Sequence, residues 1–327
     1  MRLSFDQIKD CTFGAIEVTQ REDGIHFKRC TDKQVAAWGE MHVDLGERAT
    51  YPSGIQLDFH TNSKVLRFSA ANGTMYDVCI NGLLRRSVNM KTHREKGIPA
   101  TIPLTDSIGG ELDDVRVSIY FPRGNFPAVI SYVELDDGAY VKPHVFDHKF
   151  LFYGDSITQG CSCVHHSLCY TYSVSQFFNA ESLNQGVGGG RFDGSTYDDI
   201  DYEPDTVFIS FGTNDFNHYK TLEEMEAQTC AFMDKVKERY KNIAKRFFVI
   251  SPIWRADLAE KEREIGSFAD ARAVVIRQAQ AHGMTHVDGL KLVPPLPCFF
   301  QDEYLHPNDA GFGLYTQNLI REIIRYF

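Results

Sequence analysis

No run of about eighteen apolar residues occurs anywhere in the 327-residue chain, so the sequence offers no membrane-spanning helix. The N-terminus, MRLSFDQIKDCTFGAIEVTQRED, lacks the unbroken apolar core of a signal peptide, which predicts no export by the general route. Basic residues are outnumbered, 34 Lys and Arg against 44 Asp and Glu. A formal net charge of −10 disfavours a nucleic-acid partner, because such binding draws on clustered Lys and Arg displacing counterions from phosphates. No Pro/Gly/Ser-rich or like-charge block is present, and 43% hydrophobic with 24% charged residues is the balance of a folded globular chain. Cysteine is thinly spread. Eight cysteines scattered through a chain of this size predict reduced thiols and a cytoplasmic location rather than a disulfide framework. No internal repeat is found.

The length exceeds what one core usually organises, and the hydrophobic rhythm divides the chain in two. Up to about residue 140 apolar residues alternate, as in Ile55, Leu57, Phe59; Leu66, Phe68, Ala70; Val78, Ile80; and Val115, Val117, Ile119. With turn signals such as ANGT and INGL between them, these runs predict antiparallel strands in a β-sandwich or jelly roll over residues 1–140. The polar stretch DDGAYVKPHVFD, residues 136–147, is the expected boundary. From residue 148 to 327, short apolar runs (KFLFY, TVFISF, FFVIS) alternate with segments of helical period at 221–240, 267–282 and 308 to the end. Thr221 and Glu224 are spaced as a capping box. Such alternation predicts a parallel sheet with helices on both faces.

In parallel sheets of this kind ligands bind beyond the carboxyl ends of the strands. The residues predicted there are Gly154-Asp155-Ser156, then QGVGGG (185–190), then Gly212-Thr213-Asn214-Asp215, and DEYLHPN (302–308) before the last helix. Ester cleavage needs these groups: a hydroxyl nucleophile, an imidazole to take its proton, a partner to hold the imidazole, and donors for the tetrahedral oxyanion. Ser156, His306 and a carboxylate would fill the first three roles. The backbone N–H of Gly189 and the Asn214 amide would supply donors. Each stretch alone reads equally well as a turn or a helix cap; their meeting at one sheet edge is what points to chemistry.

These blocks resemble the SGNH (GDSL-type) hydrolases, serine esterases on a flavodoxin-like three-layer α/β/α fold. YGDSITQG resembles the family's first block, with Ser156 as nucleophile and oxyanion donor. NQGVGG resembles the second with Gly189, GTND the third with Asn214, and DEYLHPN the fifth with His306 as base. The family's usual aspartate three residues before the histidine is here Glu303, with Asp302 one residue earlier. Either acid, or a backbone carbonyl, could orient the imidazole. GDSIT lacks the second glycine of the G-x-S-x-G elbow, which disfavours the α/β-hydrolase fold.

An N-terminal sandwich joined to such a domain resembles carbohydrate esterases that remove acetyl groups from sugars. The resemblance implies a serine esterase acting on short acyl esters or acetylated sugars, with no cofactor and no metal. Trp254 and Arg255 in SPIWRADL (251–258) are candidate substrate contacts through ring stacking and a guanidinium. A lipase, lysophospholipase or thioesterase, and a catalytically inert carbohydrate-binding protein, are the alternatives. CSCVHHSLC (161–169) holds candidate metal ligands, but its spacing matches no common zinc pattern.

Overall fold

The computed structural model describes residues 1–327 except 107, 125 and 258–261. Two units emerge along the chain: Met1–Arg29, Thr50–Phe146 and His165–Ser167 form one, and Cys30–Ala49, Asp147–Val164 and Leu168–Phe327 form the other.

In the first unit each predicted alternating run lies on a strand. One sheet pairs Thr12–Phe13, Gln56–Thr61, Val115–Tyr120, Met75–Ile80 and Leu83–Asn89 in that order, with Lys142–Pro143 added alongside Gln56–Thr61. The other pairs Glu17–Arg21, Gly24–Lys28, Val129–Glu134, Val65–Ala70 and Ala100–Pro103. Pairing in both is antiparallel. The alternation has a direct cause, since every second side chain of a strand faces one side. Leu57, Phe59, Leu66, Phe68, Val78, Val117 and Ile119, drawn from both sheets, join in one buried cluster, the arrangement of a sandwich. Each such side chain contributes about 1.5–3 kcal/mol on burial. INGL forms the hairpin turn between Met75–Ile80 and Leu83–Asn89, where Asn81 and Gly82 take φ of 50° and 79°. Positive φ at both central residues matches the right-handed twist of the flanking strands.

The second unit begins with two helices, α1 (Asp32–Met41) and α2 (Val43–Ala49). Strand β1 (His148–Gly154) then leads into the short α3 (Ser156–Gln159) and α4 (Tyr170–Phe177). After β2 (Ala180–Gly186) and β3 (Thr206–Ser210) come α5 (Asp215–His218) and the long α6 (Leu222–Tyr240). The chain closes with β4 (Arg246–Ile250), α7 (Phe268–Ala281), β5 (Thr285–Val287) and α8 (Asp309–Ile323). Among the described residues the five strands are parallel, in the order β2-β1-β3-β4-β5, the flavodoxin-like order of an α/β/α fold.

The helix starts follow their sequence signals. Ser267 and Asn308 cap α7 and α8 with side chains that accept from Asp270 and Gly311 N–H groups. At α6 the Thr221 hydroxyl accepts from the Glu224 N–H, but the Glu224 carboxylate reaches Lys220 N–H instead of closing the box on Thr221. Phe312, Tyr315, Leu319 and Ile323 of α8 are buried, whereas Phe327 lies beyond the helix end and is partly exposed. The order of the sheet reverses between β1 and β3, so loops leaving those two strands diverge and open a crevice. Among the described residues no helix is long and apolar enough to cross a membrane.

Candidate active site

Ser156 is the first residue of α3, directly after β1. Asp155 caps this turn by accepting from the Ile157 N–H at 2.9 Å, and Gly160 ends it in a left-handed conformation. So short a turn leaves the Ser156 backbone N–H outside the helix ladder. The serine is 7% exposed, and its Oγ lies 2.8 Å from His306 Nε2.

His306 sits in the turn before α8. Its Nδ1 is 2.6 Å from Asp302 Oδ2, while Asp302 Oδ1 accepts from the N–H groups of Tyr304, Leu305 and His306. Burial alone would raise the Asp302 carboxyl, but the Leu305 N–H, the His306 ring and the remaining N–H donors hold it below the usual carboxylate range. An ionised Asp302 facing Nδ1 fixes the proton there, leaving Nε2 as acceptor toward the serine. Of the two acids considered from sequence, only Asp302 makes this contact. Glu303 is exposed, with φ of +68°. Its left-handed backbone reverses the chain, which places the orienting carboxylate four residues before the histidine rather than three.

The donor candidates lie on loops after β2 and β3. Gly189 has φ of +87°, a region that penalises side chains. Among the described residues nothing accepts from its N–H. The Asn214 amide donates one N–H to Gly190 O at 2.8 Å, which orients the group and leaves its second N–H available. Asp215, fully buried, ties these loops together by accepting from Phe192 N–H and Gly212 N–H, both at 2.9 Å. Burial pushes the Asp215 and Asp155 carboxyls up to about 7.

Trp254 is half-buried, 5.1 Å from the Phe300 ring, beside the segment that carries His306. Arg255 is turned inward and only 4% exposed. Its guanidinium meets both Asp257 oxygens, at 2.9 and 2.8 Å, and the Thr213 carbonyl at 3.0 Å. That arrangement spends its donors inside the protein, against the expectation that it binds substrate. The CSCVHHSLC segment is tied down by other bonds. Cys163 Sγ donates to Asp309, His165 Nδ1 meets Ser87, and Ser167 donates twice to Asp77. Among the described residues the group that could hold a cation is elsewhere, at Cys230, Asp234 and His282.

Two groups escaped the sequence reading. Gln159, three residues after Ser156, accepts the Gly188 N–H at 2.7 Å, and Arg48 of α2 donates to Gly188 O at 2.8 Å. The signal for the first lay in YGDSITQG itself; the second is a tertiary contact with no local signature.

Residues 152–314 match the GDSL-like lipase/acylhydrolase family. No curated protein matches the chain. Among solved structures, salicylyl-acyltransferase SsfX3 from a tetracycline biosynthetic pathway is similar at 18% identity and TM-score 0.78, with 96% of this chain and 94% of that one covered. A candidate GDSL-like lipase from Bacteroides ovatus ATCC 8483 is similar at 16% identity and TM-score 0.70, covering 99% and 97%. A family two carbohydrate esterase from Cellvibrio japonicus is similar at 14% identity and TM-score 0.64, covering 96% and 94%. At such identities the likeness is one of fold.

Proposed function

We propose that the chain, whose residues 152–314 match the GDSL-like lipase/acylhydrolase family, is a serine esterase removing short acyl groups, acetyl above all, from carbohydrate esters. The observation that carries this reading is the continuous chain from Ser156 Oγ through His306 to Asp302, with separations of 2.8 and 2.6 Å. His306 Nε2 takes the hydroxyl proton as Oγ attacks the ester carbonyl. Asp302 holds the imidazole in the required tautomer and stabilises the imidazolium that forms. The carbonyl oxygen becomes an oxyanion among the N–H groups of Ser156, Gly189 and the Asn214 amide. Collapse breaks the bond to the sugar oxygen, which takes the proton from His306 and leaves as a hydroxyl, with Ser156 acylated. Water, deprotonated by the same imidazole, then releases the carboxylic acid.

The substrate class is supported by the fold likeness to a family two carbohydrate esterase and by the N-terminal sandwich. The test is acetate release from acetylated xylo-oligosaccharides and p-nitrophenyl acetate. Wild-type turnover and its loss in Ser156→Ala are expected; inactivity on every short acyl ester, or an active Ser156→Ala protein, rejects the proposal. A second reading follows from the likeness to an acyltransferase: the same acyl-enzyme would be resolved by an alcohol other than water. Acyl transfer to an added alcohol that outpaces hydrolysis would favour it.

A further inference from the structure

We propose that Arg48, on the α1–α2 hairpin, is a positioning residue that aims the Gly189 N–H at the oxyanion; this deepens the esterase reading and rests on it. The hairpin is built to dock. Thr31 and Gln34 form a reciprocal capping box that starts α1, and Gly39 and Gly46 let the two helices meet closely, since a Cβ on Gly46 would come within 2.9 Å of Gly39 Cα. From this base Gln34 Nε2 donates to Gln185 Oε1 at 2.5 Å, and the buried Trp38 ring lies 3.1 Å from where a Gly190 Cβ would be. The hairpin therefore packs along the whole loop that carries Gly189.

At the centre of that loop both backbone polar groups of Gly188 are held. Its N–H donates to Gln159 Oε1 at 2.7 Å, and its carbonyl accepts from Arg48 Nη1 at 2.8 Å. Gln159 Nε2 in turn donates to the Arg48 carbonyl at 2.8 Å, which closes a ring of three residues. The Gly188 carbonyl and the Gly189 N–H belong to one planar trans peptide and point in opposite directions. Fixing the oxygen therefore fixes the hydrogen. The constraint matters because glycines flank this peptide on both sides, and with no Cβ on either the unit can rotate at little steric cost. Arg48 also carries full positive charge, and a charge-assisted bond to the carbonyl polarises the peptide and strengthens its N–H as a donor. Leu45 and Arg48 stand where a Gly189 side chain would be, at 2.9 and 3.2 Å from its ideal Cβ.

The experiment compares Arg48→Met, which keeps the length without the donors, with Arg48→Lys and Arg48→Ala on p-nitrophenyl acetate. Losing an oxyanion donor outright lowers turnover about 10²–10³-fold, so misaiming one should lower kcat by about 10–100-fold. KM should stay within about twofold, because a ground-state ester makes little use of the hole. Labelling by a serine-directed fluorophosphonate should slow in parallel, Arg48→Lys should restore part of kcat, and added guanidinium at millimolar concentration should revive Arg48→Ala. A merely structural arginine would give none of that rescue. If Arg48→Met does not fold, Arg48→Gln takes its place with the same readings. A folded Arg48→Met enzyme with wild-type kcat overturns the positioning role while leaving the esterase intact; a wild-type protein inactive on all short esters removes the esterase reading itself.

Discussion

Asp302 and His306 are joined by a 2.6 Å hydrogen bond from Nδ1 to Oδ2, and the other oxygen of the same carboxylate gathers three N–H groups of the turn between them. One side chain thus shapes the loop and orients the base. Asp302→Asn should keep the loop and lose the tautomer control, lowering kcat by about 10²–10⁴-fold with a smaller change in KM. Glu303→Ala should retain activity within about twofold, since loss of this exposed side chain alters no bond in the chain from Asp302 to Ser156. Steady-state kinetics on p-nitrophenyl acetate decide between the two acids, and an inactive Glu303→Ala beside an active Asp302→Asn would reverse the assignment.

Much of the second unit was legible because its signals are local. Thr221, Ser267 and Asn308 mark the starts of α6, α7 and α8, and the apolar stripes behind them are the buried faces found in the structure. Ser156, Gly189, Asn214 and His306 stood out because each follows a strand or precedes a helix at one sheet edge. The choice between Asp302 and Glu303 was not legible, as it turns on the left-handed backbone of Glu303, which nothing in DEYLHPN dictates. Residues 30–49 show a different limit. The alternating pattern assigned them to the sandwich with the rest of residues 1–140, but they form two helices whose grouping with the parallel-sheet unit depends on bonds such as Gln34 to Gln185 and Arg48 to Gly188, formed between residues over a hundred positions apart.

Asn214 offers a cleaner probe of the oxyanion donors than Gly189. Its amide donates to Gly190 O and is otherwise uncommitted among the described residues, so Asn214→Ala should fold and lose about 10²–10³-fold in kcat. Gly189→Ala should fold less well. Its φ of +87° strains any L side chain by about 1–3 kcal/mol, and the added methyl would press on Leu45. Thermal melts alongside kinetics separate the two effects: a lowered Tm is expected for Gly189→Ala only, and an unchanged kcat in Asn214→Ala would remove that amide from the hole.

Neighbours Trp254 and Arg255 should respond in opposite ways. Removing the Arg255 guanidinium deprives Thr213 O and Asp257 of their partner in a largely buried setting, so Arg255→Ala should lose about 3–5 kcal/mol of stability at most, less for the partial exposure of Asp257. Trp254→Ala should fold normally and raise KM for acetylated oligosaccharides more than for p-nitrophenyl acetate, because an indole beside the site can stack on a sugar ring. Urea titrations and paired KM measurements check this. Equal KM increases for both substrates would assign Trp254 to packing against Phe300 alone.

Asp155 next to the serine gives the fold a pH dependence whose sign is fixed by burial. Desolvation pushes its carboxyl up to about 7 from an ordinary 3.8, only partly opposed by the Ile157 N–H and the Arg255 charge, and the neighbouring Asp215 is raised to a similar value. A carboxyl raised in the folded state binds its proton more tightly there than in the unfolded chain. Its stabilising contribution is therefore complete below about pH 3.8 and is lost as pH rises through about 7. Asp155→Asn keeps the Oδ1 acceptor for Ile157 and removes the charge. Relative to wild type it should gain about 2–3 kcal/mol of stability between pH 5 and pH 8, the part of the shift from 3.8 to about 7 that falls inside that window. Denaturant unfolding at the two pH values measures that difference directly, without the acid-side loss from groups such as Asp302, whose lowered carboxyl acts in the opposite sense and is common to both proteins. A stability difference that does not change between pH 5 and pH 8 would mean that Asp155 is ionised throughout and that its burial has been offset by the donors around it.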